Sequence, residues 1–488
     1  MVTQVYNEFY SRINYVMEQL IRKIPFQLIL FLFFFGCLTL FINDKNTVAF
    51  GLQPLGIQSI VERGHVYLDT PLDRMEYYTS NYTWDVFPYN GHVYLAKQPG
   101  QFFIGSAVYF FLYKSGITYQ KNSTLVSNLI ALFTTVPMVS IIMCLIFNIA
   151  FNITRSIKSS FLIAIFSGLG TLLLPYSGLL HHDICATFFL FLGFYYLFKR
   201  YHISKSSSSY TILIAGFCIG LALFSSNNTP TTILVLLLYI LCKRDLKDIS
   251  LFTFSLVVGL SASLVFNFIV FGHPLNFPIL LYTKFYNLTH EMTFFEYLNS
   301  CKERVNQYLF SLITAITFYS PIYLISYIGL FFLPQKYKVE RLILLLPLLL
   351  SFLQPSLKAN FPGYGWCQYG PRYLIESMPF TMIGLSSFFL KKQHSGVNHP
   401  LFKSIVVLIG IISVIICSVG TMGVVYCGYY ENAFLNYSKK IIAGELPKFI
   451  FLPLGITCII ISRILYFIKY PKREILKFTS VKFTGFKI

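Results

Sequence analysis

The 488-residue chain is poor in charge: only 12% of it is Asp, Glu, Lys or Arg, against 55% hydrophobic and 18% aromatic residues. That shortage excludes an ordinary soluble domain, in which about a quarter of the residues are charged. Acid is scarcest, with 19 acidic residues facing 38 basic ones. The basic residues cluster at the ends of apolar runs, a pattern of membrane topology, so nucleic acid is excluded as a partner. The ten cysteines include no CxxC pair and mostly lie inside apolar runs. Neither a zinc site nor a disulfide framework is indicated. No cleavable signal peptide is evident either. The first apolar run starts after about 24 residues and ends in FINDK, which reads as an uncleaved signal anchor. No internal repeat is visible.

What the chain has is hydrophobic length. Crossing about 30 Å of hydrocarbon takes about 20 apolar residues per helix. Clear runs lie near 25–43, 123–151, 160–179, 249–271, 306–333, 404–426 and 449–468. Shorter ones lie near 184–198, 210–226, 230–242, 342–356 and 374–390. The chain reads as an all-α polytopic membrane protein, a single integral membrane domain over 1–488 with about twelve spans (11–13).

Charge sets the expected orientation. Arg22-Lys23, Arg155 with Lys158, Lys199-Arg200, Lys243-Arg244, Lys336/Lys338/Arg341, Lys391-Lys392 and the basic tail 469–488 all fit the cytosol. Parity then favours placing the short run 101–117, QFFIGSAVYFFLYKSGI, in the outer interface; the alternative is that it spans and one of the weaker later segments does not. Residues 44–122 become a first extracytoplasmic loop, and the longer connections also fall outside. Chemistry is expected on that non-cytosolic face.

Three constellations could carry it. The first is WDVFPYNGHVYLAKQPG, 84–100, with Asp85, His92 and Lys97. A surface carboxylate can serve as general base, and a lysine at headgroup depth can grip a phosphate; solvated loop charge and snorkelling are the plainer alternatives. Asp44, Asp69 and Asp73 in the same loop compete with Asp85 as base. The second is PYSGLLHHDICATFF, 175–189, where His181, His182 and Asp183 interrupt two apolar runs. Polar residues at such a junction often mark a site, although Asp183 could merely cap a helix. Two adjacent histidines point in different directions and do not make a metal site alone. The third is NFPGYGWCQYGPRYLIESMPF, 360–380, in which Arg372 offers a planar fork for phosphate beside Tyr369.

The order of these elements resembles the GT-C class of polyprenyl-phosphate-dependent glycosyltransferases, relatives of the protein O-mannosyltransferases and the lipid A aminoarabinose transferase. The matches are Asp85 with NGHVYLAKQPG, HHD at 181–183, FGHP at 271–274, FYSPIYL at 318–324 and YGPRYLIESMPF at 369–380. The resemblance implies a GT-C-like bundle and an inverting transfer from a polyprenyl-phosphate-linked sugar to a lipid, glycan or protein acceptor. It makes Lys97 and Arg372 candidates for the donor phosphate, and Asp85 and Asp183 for the acidic site. Asp44 alone occupies the place after the first span where that class often carries its base. His92, His181, His182 and Tyr369 are further substrate-site candidates. No metal ligand set is assigned, and a divalent cation is left open as the only cofactor. The membrane would be the plasma membrane in a prokaryote and the endoplasmic reticulum in a eukaryote. A transporter or lipid flippase, or a non-catalytic relative, is the competing reading. Transport would call for repeat symmetry and charges near mid-bilayer, and the spans are nearly charge-free.

Overall fold

The computed structural model describes residues 24–44, 52–68, 85–203, 208–286, 313, 316–356, 369–390, 400–421 and 433–470. These form two compact units, one of residues 24–40 with 451–470 and one of residues between 41 and 450. Asp69, Asp73, Trp84 and the tail after Tyr470 lie outside the described residues.

In the smaller unit, α1 (Phe26–Thr39) packs on a C-terminal helix, Leu452–Lys469. A methyl group on Gly36 would strike the carbonyl of Gly455, so the two backbones approach through glycine. Close approach of this kind drives helix pairing where no water is present. Phe26 packs against Tyr466 and Tyr470, and the Lys469 ammonium donates to the Ile24 carbonyl.

The larger unit opens with α2 (Leu52–Gln58), which runs into a π-helical turn, Ser59–Arg63. A hairpin follows, β1 (Val86–Tyr89) paired antiparallel with β2 (His92–Leu95). Its two-residue loop is Asn90-Gly91 with φ of 46° and 80°. A type I′ turn demands positive φ at both positions, which Asn and Gly tolerate. The run expected to lie in the interface forms a helix, α3 (Gly100–Lys114). It buries Tyr109 and exposes Phe103, Phe110 and Phe111, an arrangement compatible with lying against lipid.

The run near 123–151 forms two helices, α4 (Tyr119–Phe133) and α5 (Thr135–Thr154), that break at Thr134. Then come α6 (Ile157–Leu169), the short α7 (Leu173–Ser177) and α8 (His182–Phe198). They are followed by α9 (Tyr210–Ser225), α10 (Pro230–Lys243), α11 (Leu246–Phe271) and α12 (Pro278–Phe285). After these lie α13 (Pro321–Phe331) and α14 (Lys338–Ser356). The run near 374–390 is no plain α-helix. It is a 3-10 turn Arg372–Ser377, the short α15 (Met378–Met382) and a second 3-10 stretch Ile383–Phe389. It is buried throughout all but its ends, and irregular backbone at membrane depth is tolerated only under such cover. The unit closes with α16 (Pro400–Thr421) and α17 (Ala433–Ile442).

The polarity of α11 is inverted relative to a soluble helix. Phe254, Val257, Val258, Val265, Phe268 and Ile269 are exposed, while Ser255, Gly259, Ser263 and Asn267 are buried. Exposed hydrocarbon with small or polar residues inside is favourable only when the solvent is lipid. Among the described residues, α4 with α5, α11 and α16 are long and apolar enough to cross a membrane; several shorter apolar helices accompany them.

Basic clusters expected in the cytosol are knitted together at one end of α8, α10 and α14. Glu340 accepts hydrogen bonds from Tyr239 (2.8 Å) and Lys243 (2.6 Å), and His202 Nε2 lies 2.7 Å away. Arg200 pairs with Asp248 at 3.0 Å nearby in sequence.

Candidate active site

The site is built from the other ends of α8 and α10. The hairpin sets its first element. Its register pairs Val86 with Leu95, and the Ala96 amide donates to the Asp85 carbonyl, so Asp85 and Lys97 meet at the open end of the ladder. Their ion pair is 2.8 Å long. Burial works to raise the Asp85 carboxyl, but Lys97 and, more weakly, Arg372 outweigh it and hold it below its ordinary value.

The chain then turns through Pro99 into α3. A Cβ on Gly100 would collide with the Phe224 carbonyl and the Ser225 amide. Only glycine lets the hairpin's exit press on the end of α9. Gln98 donates to Asn227 across this contact.

The second element is the turn before α8. His181 caps that helix, its Nδ1 accepting from the Asp183 amide at 3.2 Å. The His181 and His182 rings stack at 4.4 Å, and Tyr176 packs edge-on to His181 at 5.0 Å. His182 Nε2 lies 3.2 Å from Asp183 Oδ1, and the Ser226 hydroxyl donates to that same oxygen at 3.4 Å. Burial above all, then the positive charges of Arg372 and Lys97, hold the His181 imidazole well below its usual value and therefore neutral.

The third element is Arg372, at the start of the 3-10 turn that packs on α8. Its guanidinium lies over the Tyr373 ring, 5.0 Å from the centroid, and donates to the Tyr373 hydroxyl at 3.3 Å. It interacts electrostatically with Asp183 and Asp85, so segments from 85–97, 181–183 and 372 converge.

Two cations thus stand beside a helix N-terminus, where the helix dipole adds to the positive field. That combination suits an anion with several oxygens. Ligand atoms of His181, His182 and Asp183 lie within 4.8 Å of one another, a spacing a metal could use. Lys97 and Arg372 weigh against it, since both repel a cation.

Other candidates sit apart. His92 is stacked on Tyr67 at 3.7 Å, and that ring stacks on His65. Asp44 Oδ1 accepts from the Lys448 amide at 2.9 Å, beside the bridge between Asn43 and Phe449. Tyr369 is fully buried: its carbonyl accepts from Tyr176 at 3.2 Å and its hydroxyl donates to the Ile416 carbonyl. It therefore supports the site from behind.

Sequence reading passed over Ser226 and Glu376. Glu376 lies one turn beyond Arg372 on the segment that packs on α8 and is 3% exposed, and Ser226 donates to Asp183. The signal was there: a carboxylate inside the apolar run YLIESMPFTMIG is expensive unless it is used.

No protein-family model and no curated protein matches the chain. Two solved structures are similar to it, both of ArnT from Cupriavidus metallidurans. One is in the apo state, at 13% identity over 98% of this chain and 76% of that one, with a TM-score of 0.47. The other is bound to undecaprenyl phosphate, at the same identity and TM-score, over 93% of this chain and 76% of that one. ArnT is the lipid A aminoarabinose transferase, one of the groups that the sequence motifs resemble. A likeness at this level adds nothing to the chemistry, which rests on the site alone.

Proposed function

We propose that the protein is a membrane glycosyltransferase that moves a sugar from a polyprenyl-phosphate donor to an acceptor at the non-cytosolic face. The observation that supports this most is the meeting of Lys97 and Arg372 at the N-terminus of α8 in a chain whose spans are nearly charge-free. Burying charge costs several kcal/mol per ion unless something is gained. A phosphate bound between a lysine, an arginine fork and a helix terminus would repay it.

In the proposed reaction the bond between the sugar's anomeric carbon and the donor phosphate breaks, and its electron pair leaves on the phosphate oxygen. Lys97 and Arg372 neutralise the charge that grows there, so they bind the transition state more strongly than the ground state. The acceptor oxygen or nitrogen attacks from the opposite side and gives its proton to a carboxylate. Asp183, 1% exposed, is placed to hold His182 and Arg372 rather than to meet an acceptor. Asp85, whose side chain is 37% exposed, is the open carboxylate of the described site. Its pairing with Lys97 makes it a weak base, so Asp44, Asp69 and Asp73 stay in the comparison.

The test is transfer by purified protein in lipid, supplied with polyprenyl-phosphate sugars, with mass spectrometry of co-purified lipid to choose the donor. Lys97→Ala and Arg372→Ala are each expected to lower kcat about a hundredfold, the usual effect of removing one group that stabilises developing charge. Asp85→Asn and Asp44→Asn, run side by side, separate the two candidates for base. Full activity in both Lys97→Ala and Arg372→Ala would overturn the site.

A further inference from the structure

Among the described residues, three other than glycine have positive φ, and two of them are arginines that end helices. Arg155 follows α5 with φ 56° and ψ 28°, and Arg244 follows α10 with φ 58° and ψ 21°. A Cβ in this conformation crowds the following carbonyl, which is why glycine or asparagine usually takes the position. Arginine carries the strain and brings a guanidinium to the helix end. The stretch of α4 with α5 is long and apolar enough to cross a membrane, so Arg155, the next residue, stands at headgroup depth.

A second cation is built in beside Arg155. Tyr337, in a 3-10 turn Gln335–Tyr337 ahead of α14, is buried, and its hydroxyl donates to Asn152 Oδ1 at 2.9 Å on the last turn of α5. Asn152 in turn donates to the His202 carbonyl at 3.4 Å, which ties the tail of α8 into the same corner. The Lys336 ammonium lies over the Tyr337 ring, 4.7 Å from its centroid. Burial first, and then the charge of Arg155, lower that ammonium from its ordinary value, so the two cations repel. Neither forms an ion pair with a carboxylate among the described residues. Glu340, the acid closest in sequence to Lys336, is engaged elsewhere: its Oε1 accepts from Tyr239 and Lys243, with His202 against it.

The negative end of the α5 dipole accounts for one cation here, not for two held side by side. A phosphodiester supplies what is missing, one oxygen for the guanidinium fork and one for the ammonium. Exposed apolar side chains select a lipid over a free ion. Phe331 and Phe332 just before the turn, and Leu342 just after it, offer ring and hydrocarbon surface to an acyl chain.

We propose that Arg155 and Lys336 bind the phosphate of an anionic phospholipid in the headgroup layer at the Glu340 end of the bundle. The site is separate from the candidate active site and does not depend on the transferase reading.

Native mass spectrometry of the purified protein, titrated with phosphatidylglycerol or phosphatidylcholine, tests it. Wild type should retain phosphatidylglycerol in preference. Arg155→Gln and Lys336→Gln should each raise its Kd about fivefold, the loss of one basic contact near a lipid surface. Lys114→Gln, a basic change at the end of α3, should leave it unchanged. Equal retention of both lipids, or equal weakening by Lys114→Gln, would overturn the proposal by showing that no defined site exists. Displacement of the lipid by excess inorganic phosphate would overturn it in favour of a soluble anion. Arg155→Gly separates lipid binding from helix capping, because it relieves the backbone in every lipid but loses the phosphate contact only where that contact forms. Its thermal midpoint relative to wild type should stand about 1 °C or more higher in phosphatidylcholine nanodiscs than in phosphatidylglycerol nanodiscs. The same offset in both would reduce Arg155 to a cap and overturn the proposal.

Discussion

Glu340 is a charge whose surroundings can be followed to a number. Burial pushes its carboxyl up, yet hydrogen bonds from His202 and Lys243 prevail and bring it down from 4.5 to about 2. A depressed folded value means that its stabilisation is complete above the unfolded value and disappears as pH falls through the folded one. Glu340→Gln should therefore cost about 3 kcal/mol at neutral pH, and the gap to the wild type should close between pH 4.5 and about 2. Denaturant unfolding in detergent at several pH values would show it; a pH-independent gap would refute the assignment. None of this was legible in the sequence, since Glu340 is separated from Lys243 by 97 positions and from His202 by 138. By contrast Lys97 and Arg372 stood out locally, because a lone charge beside Pro, Gly and aromatics at the mouth of an apolar run has few plain explanations. What the sequence hid was that Lys97 is held by Asp85.

At the scale of elements, the pairing of α9 with α11 depends on small residues. Cβ atoms added to Gly216 and Gly220 would meet the backbone of Phe252 and Leu256, and one on Gly259 would meet the Phe217 carbonyl. Gly220→Leu or Gly259→Leu should force these helices apart and lower the thermal midpoint in detergent by several degrees, while an exposed change such as Val258→Leu on α11 should not. Periodicity and length made most apolar runs legible as helices, because a 20-residue apolar stretch has few other fates in lipid. The Asn-Gly hairpin was equally plain in its turn chemistry. The break at Thr134 was not, because one continuous apolar run covers both helices. Nor was the 3-10 geometry of 372–389, where tertiary cover replaces the regular ladder.

For the whole molecule, the orientation expected from the basic clusters is open to a direct check. A cysteine introduced at Asn90, on the exposed hairpin turn, should react with an impermeant maleimide added outside intact cells or right-side-out vesicles. One at Lys158, between α5 and the body of α6, should react only after permeabilisation. Labelling with the opposite polarity would overturn the placement of the candidate site on the non-cytosolic face. The two ends of α8 and α10 carry different chemistry: the Glu340 cluster lies at one, the His181–Asp183 turn and Ser226 at the other. Loss of the first should loosen the fold without changing the charges of the second.

The inverted side chains of α11 also decide how substrate is counted. Phe254, Val257, Phe268 and Ile269 dissolve in the same hydrocarbon as a prenyl chain. Such a donor would reach the site by diffusing in two dimensions, and the quantity that governs its occupancy would be its mole fraction in the bilayer. Adding inert vesicle lipid at constant donor would then dilute the substrate as surely as adding water dilutes a soluble one.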